Sequence, residues 1–346
     1  MNKMSKTWLE TLKDLCLLNG VSGSEDEVRE YIAQRAKKHT EDVVVDAMGN
    51  VIVSKKGKVT PKQKLVLCAH MDEVGAIVTS FTDDGYLRFA KAGSLDGRVI
   101  LGKAVTVGKN KVQGVIGCKA IHLVNEKDRE KPMDTEEMYI DIGMKKRKHA
   151  EKLVSLGDAV AFDEDCREFG DGYLKAKAID DRFGCLVLLE LIESELPIDC
   201  TFVFTVQEEV GLRGAYPAAY KTEPDIALIV EGTTAADLPS VSESKKVCKL
   251  GKGPVLPFMD AGTIYNKEVH KILTNIAEAN DIAWQTKTYI AGATDGSAFQ
   301  KSRSGVKTVG IAAPIRNLHS PTNVGKISDM EEVYKLVWLF LEKLGE

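Results

Sequence analysis

The chain has 346 residues, 47 basic and 51 acidic, a net charge of −4, 44% hydrophobic residues and 28% charged residues. The length exceeds the ~250–300 residues at which one core usually stops growing, so two domains are expected. No basic block tracks nucleic acid, no run approaches the ~18 apolar residues of a membrane span, and the N-terminus carries no apolar signal core, so neither a nucleic-acid partner nor a membrane is expected. Seven dispersed cysteines without a CxxC pair read as reduced thiols of a cytoplasmic protein.

In chain order, apolar residues at 8, 9, 12, 15, 16 and 18 have helical spacing. Ser24 and Glu27 form a capping box for a helix running to about Lys38. Val43–Val45 and Val51–Val53 flank Met48-Gly49-Asn50 as a hairpin. Lys64–Ala69 is a continuous apolar run, the pattern of a strand buried on both faces, and it ends in His70-Met71-Asp72. In open α/β sheets ligands bind beyond the carboxyl ends of strands, so a site residue is expected there.

From 73 to 163 the texture changes to short β-type runs punctuated by glycines: Ala76–Phe81, Tyr86–Ala90, Ala104–Val107 and Val112–Ile116, with Asp83-Asp84-Gly85 as a hairpin turn. This reads as a small β-barrel-like domain inserted into an α/β domain formed by 1–72 and 164–346. Lys145-Lys146-Arg147-Lys148 reads as a solvated helix face.

The strand-like run Tyr173–Ala178 leads into Asp180-Asp181-Arg182 and then the apolar segment Cys185–Leu191, a buried helix. Two adjacent acids at the mouth of a core element are costly to desolvate unless a positive group neutralises them. Arg182 would neutralise one, and a pair of divalent metals both; the plain alternative is an acid capping the helix. Next come the strand Cys200–Gln207 ending in Glu208-Glu209, a helix from Leu212 to Tyr220 disturbed by Pro217, and the strand Asp225–Val230 ending in Glu231-Gly232. An amphipathic helix spans Asn266–Asn280, and a Gly-rich loop from Ala291 to Gly296 precedes a short helix. The strand Val306–Ile311, a loop with His319 and a C-terminal helix from Ile327 to Leu344 complete the chain.

His70, Glu208-Glu209 and Glu231 thus end buried strands on one edge of a parallel sheet, with Asp180-Asp181 and His319 nearby. Singly, each has an ordinary explanation as a helix-capping acid or a surface histidine. Converging, they would repel one another without metals, and mixed N/O ligation suits Zn, Co or Mn. His39, His122, His149 and His270 lack this setting.

The blocks Ala69-His70-Met71-Asp72-Glu73-Val74-Gly75, Ala178-Ile179-Asp180-Asp181-Arg182, Gln207-Glu208-Glu209-Val210-Gly211 and Leu318-His319-Ser320-Pro321 resemble, in order, the signatures of the tetrahedral (TET) di-metal aminopeptidases. The resemblance implies a phosphorylase/hydrolase-like mixed sheet flanked by helices and an inserted β domain used in assembly. It also implies homododecameric particles, peptide substrates and two divalent ions per chain, Zn2+ or Co2+ first and Mn2+ next. By position it implies Asp180 bridging the ions in a peptide that is often cis, His70 and Glu231 on one, and Glu209 and His319 on the other. Asp72 would orient His70, and Glu208 would be the general base. Many members carry Asp where this chain has Glu231, one methylene longer.

The same ligands would serve a deacylase or a carboxypeptidase. A glycosidase needs two carboxylates across a sugar but not the histidines. A metal-stabilised assembly subunit without activity is the non-enzymatic alternative. The Gly20–Ser24 stretch misses GxSxG spacing, and no HExxH is present.

Overall fold

A computed structural model describes residues 4–125, 133–290 and 292–346. In chain order its elements are α1 (Trp8–Leu17), α2 (Asp26–Ala36), β1 (Val43–Val45), β2 (Val51–Lys55), β3 (Leu65–His70), β4 (Gly75–Phe81), β5 (Leu87–Ala92), α3 (Gly97–Ile100), β6 (Ala104–Val107), β7 (Val112–Gly117), β8 (Tyr139–Asp141), α4 (Arg147–Ala150) and β9 (Ala159–Phe162). They continue as β10 (Arg167–Phe169), β11 (Tyr173–Ala176), α5 (Ile179–Glu193), β12 (Cys200–Thr205), α6 (Ala215–Thr222), β13 (Ile226–Thr234), α7 (Lys267–Ala279), α8 (Gly296–Gln300), β14 (Lys307–Arg316), β15 (Asn323–Lys326) and α9 (Ile327–Gly345).

Among the described residues these form a nine-stranded sheet in the order β1-β2-β12-β3-β13-β14-β15-β11-β10, and a closed barrel in the order β4-β5-β8-β7-β6-β9. The four central strands β12, β3, β13 and β14 are mutually parallel; the flanking strands are antiparallel. Every residue of β3 is buried, because β12 and β13 pair with it on both sides and helices cover both faces. That is why its sequence is apolar without alternation. One face packs on α5, whose residues from Ile179 to Ile192 are all buried, and on α1, α2, α7 and α9. The other face packs on α6 and α8 through Ala215, Ala218, Ala219, Ala298 and Phe299. The barrel has a core of its own, built from alternate residues such as Val105 and Val107 on β6 and Leu87 and Phe89 on β5. No helix among the described residues is long and apolar enough to cross a membrane.

Three local expectations are corrected. Ser24 does not cap α2. The residue before that helix is Glu25, whose Oε1 instead accepts the N–H groups of Gly23 (2.6 Å) and Gln207 (3.2 Å), while Glu27 Oε2 accepts Lys111 Nζ at 2.9 Å. The acids of that turn are spent on holding neighbouring segments. Pro217 does not disturb α6; it lies in the first turn, where its missing N–H has no partner to lose. β13 continues past Val230 to Thr234 because β14 pairs with it through Ile315, so Glu231 stands inside a strand.

Candidate metal centre and active-site cavity

The carboxyl edge of the parallel strands carries the site. His70 is the last residue of β3, Glu208 and Glu209 follow β12, Glu231 is in β13, and His319 lies in the loop between β14 and β15. Asp180 arrives from α5, after Ala178 in a left-handed conformation (φ 53°). The Asp180–Asp181 peptide is cis.

These side chains meet in two groups that share one residue. His70, Asp180 and Glu231 form one; Asp180, Glu209 and His319 form the other; within each, the potential donor atoms lie within 4.8 Å of one another. His70 Nε2 is 3.3 Å from Glu231 Oε1 and 3.6 Å from Asp180 Oδ1. His319 Nε2 is 3.2 Å from Glu209 Oε2 and 3.8 Å from Asp180 Oδ2. The two oxygens of Asp180 therefore face different histidines.

The neighbouring acid has a different task. Asp181 turns inward, where its Oδ2 accepts the His70 N–H (3.2 Å) and its Oδ1 the Gly184 N–H (2.9 Å). The helix-capping alternative is thus true of Asp181 and not of Asp180. A Cβ at Gly184 would lie 2.3 Å from Asp181 Oδ2, so this arrangement requires glycine there. Arg182 neutralises neither acid. It is fully buried and binds the carbonyls of Met71 (2.9 Å) and Leu15 (2.6 Å) and Glu73 Oε1 at 3.3 Å. Glu73 also receives Lys177 Nζ at 2.6 Å. This buried Lys177–Glu73–Arg182 network fixes the β3 exit loop to the entry of α5. The sequence displayed its members but not their pairing.

Asp72 is buried beneath the cluster. It lies 3.5 Å from His70 Nδ1, and its own carbonyl is 3.0 Å from that nitrogen. Its carboxylate accepts the N–H groups of Glu208 (2.9 Å) and Glu209 (3.1 Å) and the Ser22 hydroxyl (2.6 Å). Asn50 supports the same loop by accepting the Val206 N–H and donating to Gly214 O. Sequence reading also missed Asp295, which is fully buried and bonded to Thr205. The only signal for it was its place at the end of the Gly-rich loop; Ala291, which opens that loop, lies outside the described residues.

The electrostatics call for cations. Burial pushes Glu208 and Glu209 well above the ordinary carboxylate range, and neighbouring carboxylates push them further. Burial likewise raises Glu231 to about 7 and Asp295 to about 6. Burial opposes a charge on His70, but Asp180, Asp72 and Glu231 outweigh it and raise its pKa. His319, also desolvated, is shifted down, toward the neutral form that ligates metals. Among the described residues His70 Nε2 is buried without a hydrogen-bond partner. An imidazole nitrogen left bare between two carboxylates, in a set of N and O donors, fits a divalent ion such as Zn, Co or Mn.

Asp180, Glu208, Glu209, Glu231 and His319 open onto a cavity of about 590 Å3. Its walls continue through Thr233, Val247, Lys287, Thr294 and Leu318.

Comparison with known proteins gives the class. Residues 49–336 match the family model described as M42 glutamyl aminopeptidase. A relative from Acetivibrio thermocellus with a provisional aminopeptidase name is 37% identical over 330 residues, 95% of this chain and 96% of the relative. The solved structure of aminopeptidase APDkam598 from the archaeon Desulfurococcus kamchatkensis superimposes with a TM-score of 0.92 at 34% identity, covering 97% of this chain and 95% of that one. The Pyrococcus horikoshii TET1 peptidase, described as assembling into a tetrahedron or a large octahedral shell, gives 0.84 at 36% identity, covering 95% and 98%. The fold and the site thus define a metal-dependent peptide-bond hydrolase acting at peptide N-termini. The chain belongs to the M42 glutamyl aminopeptidase family.

Proposed function

We propose that this aminopeptidase works with two divalent ions per chain, Zn2+ or Co2+ in preference to Mn2+. His70 and Glu231 hold one, Glu209 and His319 hold the other, and Asp180 bridges them. The observation that carries this reading is the sharing of Asp180 between two donor groups. When bound, such ions polarise the scissile carbonyl and acidify water. The chain's own residues do the rest. Glu208, at the cavity wall, takes the proton of the attacking water and returns it to the leaving amine. Asp72 positions His70 from below and holds the Glu208–Glu209 backbone from behind. The test is hydrolysis of leucyl p-nitroanilide before and after exhaustive chelation, with Zn, Co and Mn added back in turn. Activity should vanish and return with metal; activity that survives chelation contradicts the reading.

We further infer a catalytic domain of residues 1–72 and 164–346, and a domain of residues 73–163 used in assembly to a homododecamer. Ile121, Leu123 and Leu156 are exposed in that segment, as at a contact surface, and the TET1 neighbour supports a closed shell. Light scattering should give about twelve chains; a strict monomer at micromolar concentration contradicts it. Free thiols at all seven cysteines suit a reducing, cytoplasmic setting.

A further inference from the structure

Glu25 stands at the N-cap of α2 and leaves that helix uncapped. Its side chain turns instead to the exit of β12. There Oε1 accepts the Gln207 N–H at 3.2 Å, across 182 residues of sequence, and the Gly23 N–H at 2.6 Å. The carboxyl is buried, and among the described residues no cation pairs with it. Burial raises its pKa, and the nearby Asp72 carboxylate adds to the shift. A charge is unfavourable at such a position, so what Glu25 supplies there is an acceptor oxygen.

The turn it holds carries the proposed base. Four successive N–H groups after β12 are each accepted by a side chain from another segment. Val206 donates to Asn50 Oδ1 (3.0 Å), Gln207 to Glu25, Glu208 to Asp72 Oδ1 (2.9 Å) and Glu209 to Asp72 Oδ2 (3.1 Å). Gln207 has a φ of 56°, a left-handed conformation that a residue with a side chain keeps only where its surroundings impose it. Glu25 is itself well anchored. The Ser24 N–H donates to Val21 O (2.7 Å), the Ser22 N–H to Glu73 O (3.2 Å) and the Ser22 hydroxyl to Asp72 Oδ2 (2.6 Å). The segment 21–25 is thus clamped to the exit of β3 and reaches from there to the exit of β12.

We propose that Glu25 is a positioning residue for the reaction: by holding the Gln207 N–H it fixes the left-handed turn that aims the Glu208 carboxylate into the cavity. This rests on the reading of Glu208 as the base. Without that hydrogen bond the Val206–Gln207 peptide is free to rotate, and the side chain next along swings with it. Asp72 still holds the Glu208 and Glu209 N–H groups, so the metal ligands stay in place. A misplacement of about 1 Å is enough to slow a reaction by about 100-fold.

The test is leucyl p-nitroanilide hydrolysis by the Zn-loaded wild type, by Glu25→Met, Glu25→Gln and Glu208→Gln, and by the double variant of Glu25→Met with Glu208→Gln, with zinc content measured for each. Glu25→Met keeps the reach of the side chain and loses the acceptor. Its kcat should fall by about 10- to 100-fold, with KM within about threefold of wild type and zinc content unchanged. Glu25→Gln keeps an acceptor oxygen at the same reach and should recover most of kcat. On the Glu208→Gln background Glu25→Met should cost no more than about a further twofold, because the group it positions is already gone. Wild-type kcat in Glu25→Met overturns the inference, and so does a Glu25→Gln as slow as Glu25→Met. An equal loss on both backgrounds, or a loss of zinc, also overturns it, because the contact would then be structural alone. If Glu25→Met does not fold, Glu25→Asp takes its place; it draws the acid back by one methylene and should lose kcat alike. Wild-type turnover in Glu208→Gln refutes the base assignment itself, and this inference with it.

Discussion

Asp72 Oδ1 accepts the backbone N–H of Glu208 at 2.9 Å, so a carboxylate at the exit of one strand fixes the position of the acid at the exit of the next. The other oxygen does the same for Glu209 at 3.1 Å. An amide cannot reproduce this, because its NH2 cannot accept. Asp72→Asn should therefore weaken metal affinity or turnover by about 10- to 100-fold, as removal of a ligand's supporting partner usually does. Metal titration and kcat of the variant check it; wild-type values in both would show that Asp72 supports neither residue.

The proposed mechanism gives Glu208 and Glu209 different roles, base and ligand. Glu208→Gln should keep its metal and slow turnover by about 10²–10⁴, the usual contribution of acid–base catalysis, with little change in substrate affinity. Glu209→Gln should lose metal, and excess metal should partly restore activity. Metal counting and kinetics on the two variants decide; the opposite pattern exchanges the assignments.

Much of this site was legible because buried parallel strands read as continuous apolar runs. A polar residue at the end of such a run, like His70 after Lys64–Ala69, has to emerge at the sheet edge. The long-range partnerships were not legible. Arg182 stands beside Asp181 in sequence, yet it pairs with Glu73, 109 residues away. Nothing local separates the tasks of Asp180 and Asp181, which depend on the direction each side chain takes. In the barrel, β8 (Tyr139–Asp141) and β9 (Ala159–Phe162) escaped notice, although β6, as short as β9, was read from its apolar run between glycines.

The network beneath the site should be costly to break. Glu73 is buried between two buried cations, and removing it strands both. Glu73→Ala should lower the unfolding free energy by about 3–5 kcal/mol, the usual cost of leaving a buried charge without its partner. Urea denaturation measures this. A loss below about 1 kcal/mol would mean that the carbonyls of Leu15, Leu18 and Met71 satisfy the cations unaided.

A pH dependence follows from Asp237. Burial raises its pKa, but Arg316, bonded at 2.6 and 2.7 Å, and the Leu250 N–H outweigh this and hold it below its ordinary value of 3.8. A depressed carboxyl stabilises the fold above its unfolded pKa and loses that contribution as pH falls through the folded value. Wild type should therefore be more stable than Asp237→Asn at pH 7, and the difference should shrink below about pH 4. Melting temperatures of both proteins from pH 7 to pH 3 check this; a constant difference would mean that Asp237 acts by packing alone.

The central claim is that Asp180 joins two metal positions. Anomalous diffraction from crystals of active, Zn-loaded protein tests it most directly. Two peaks per chain are expected, one bonded by His70 and Glu231, the other by Glu209 and His319, with an oxygen of Asp180 on each. A single peak, or full activity with neither position filled, contradicts the account.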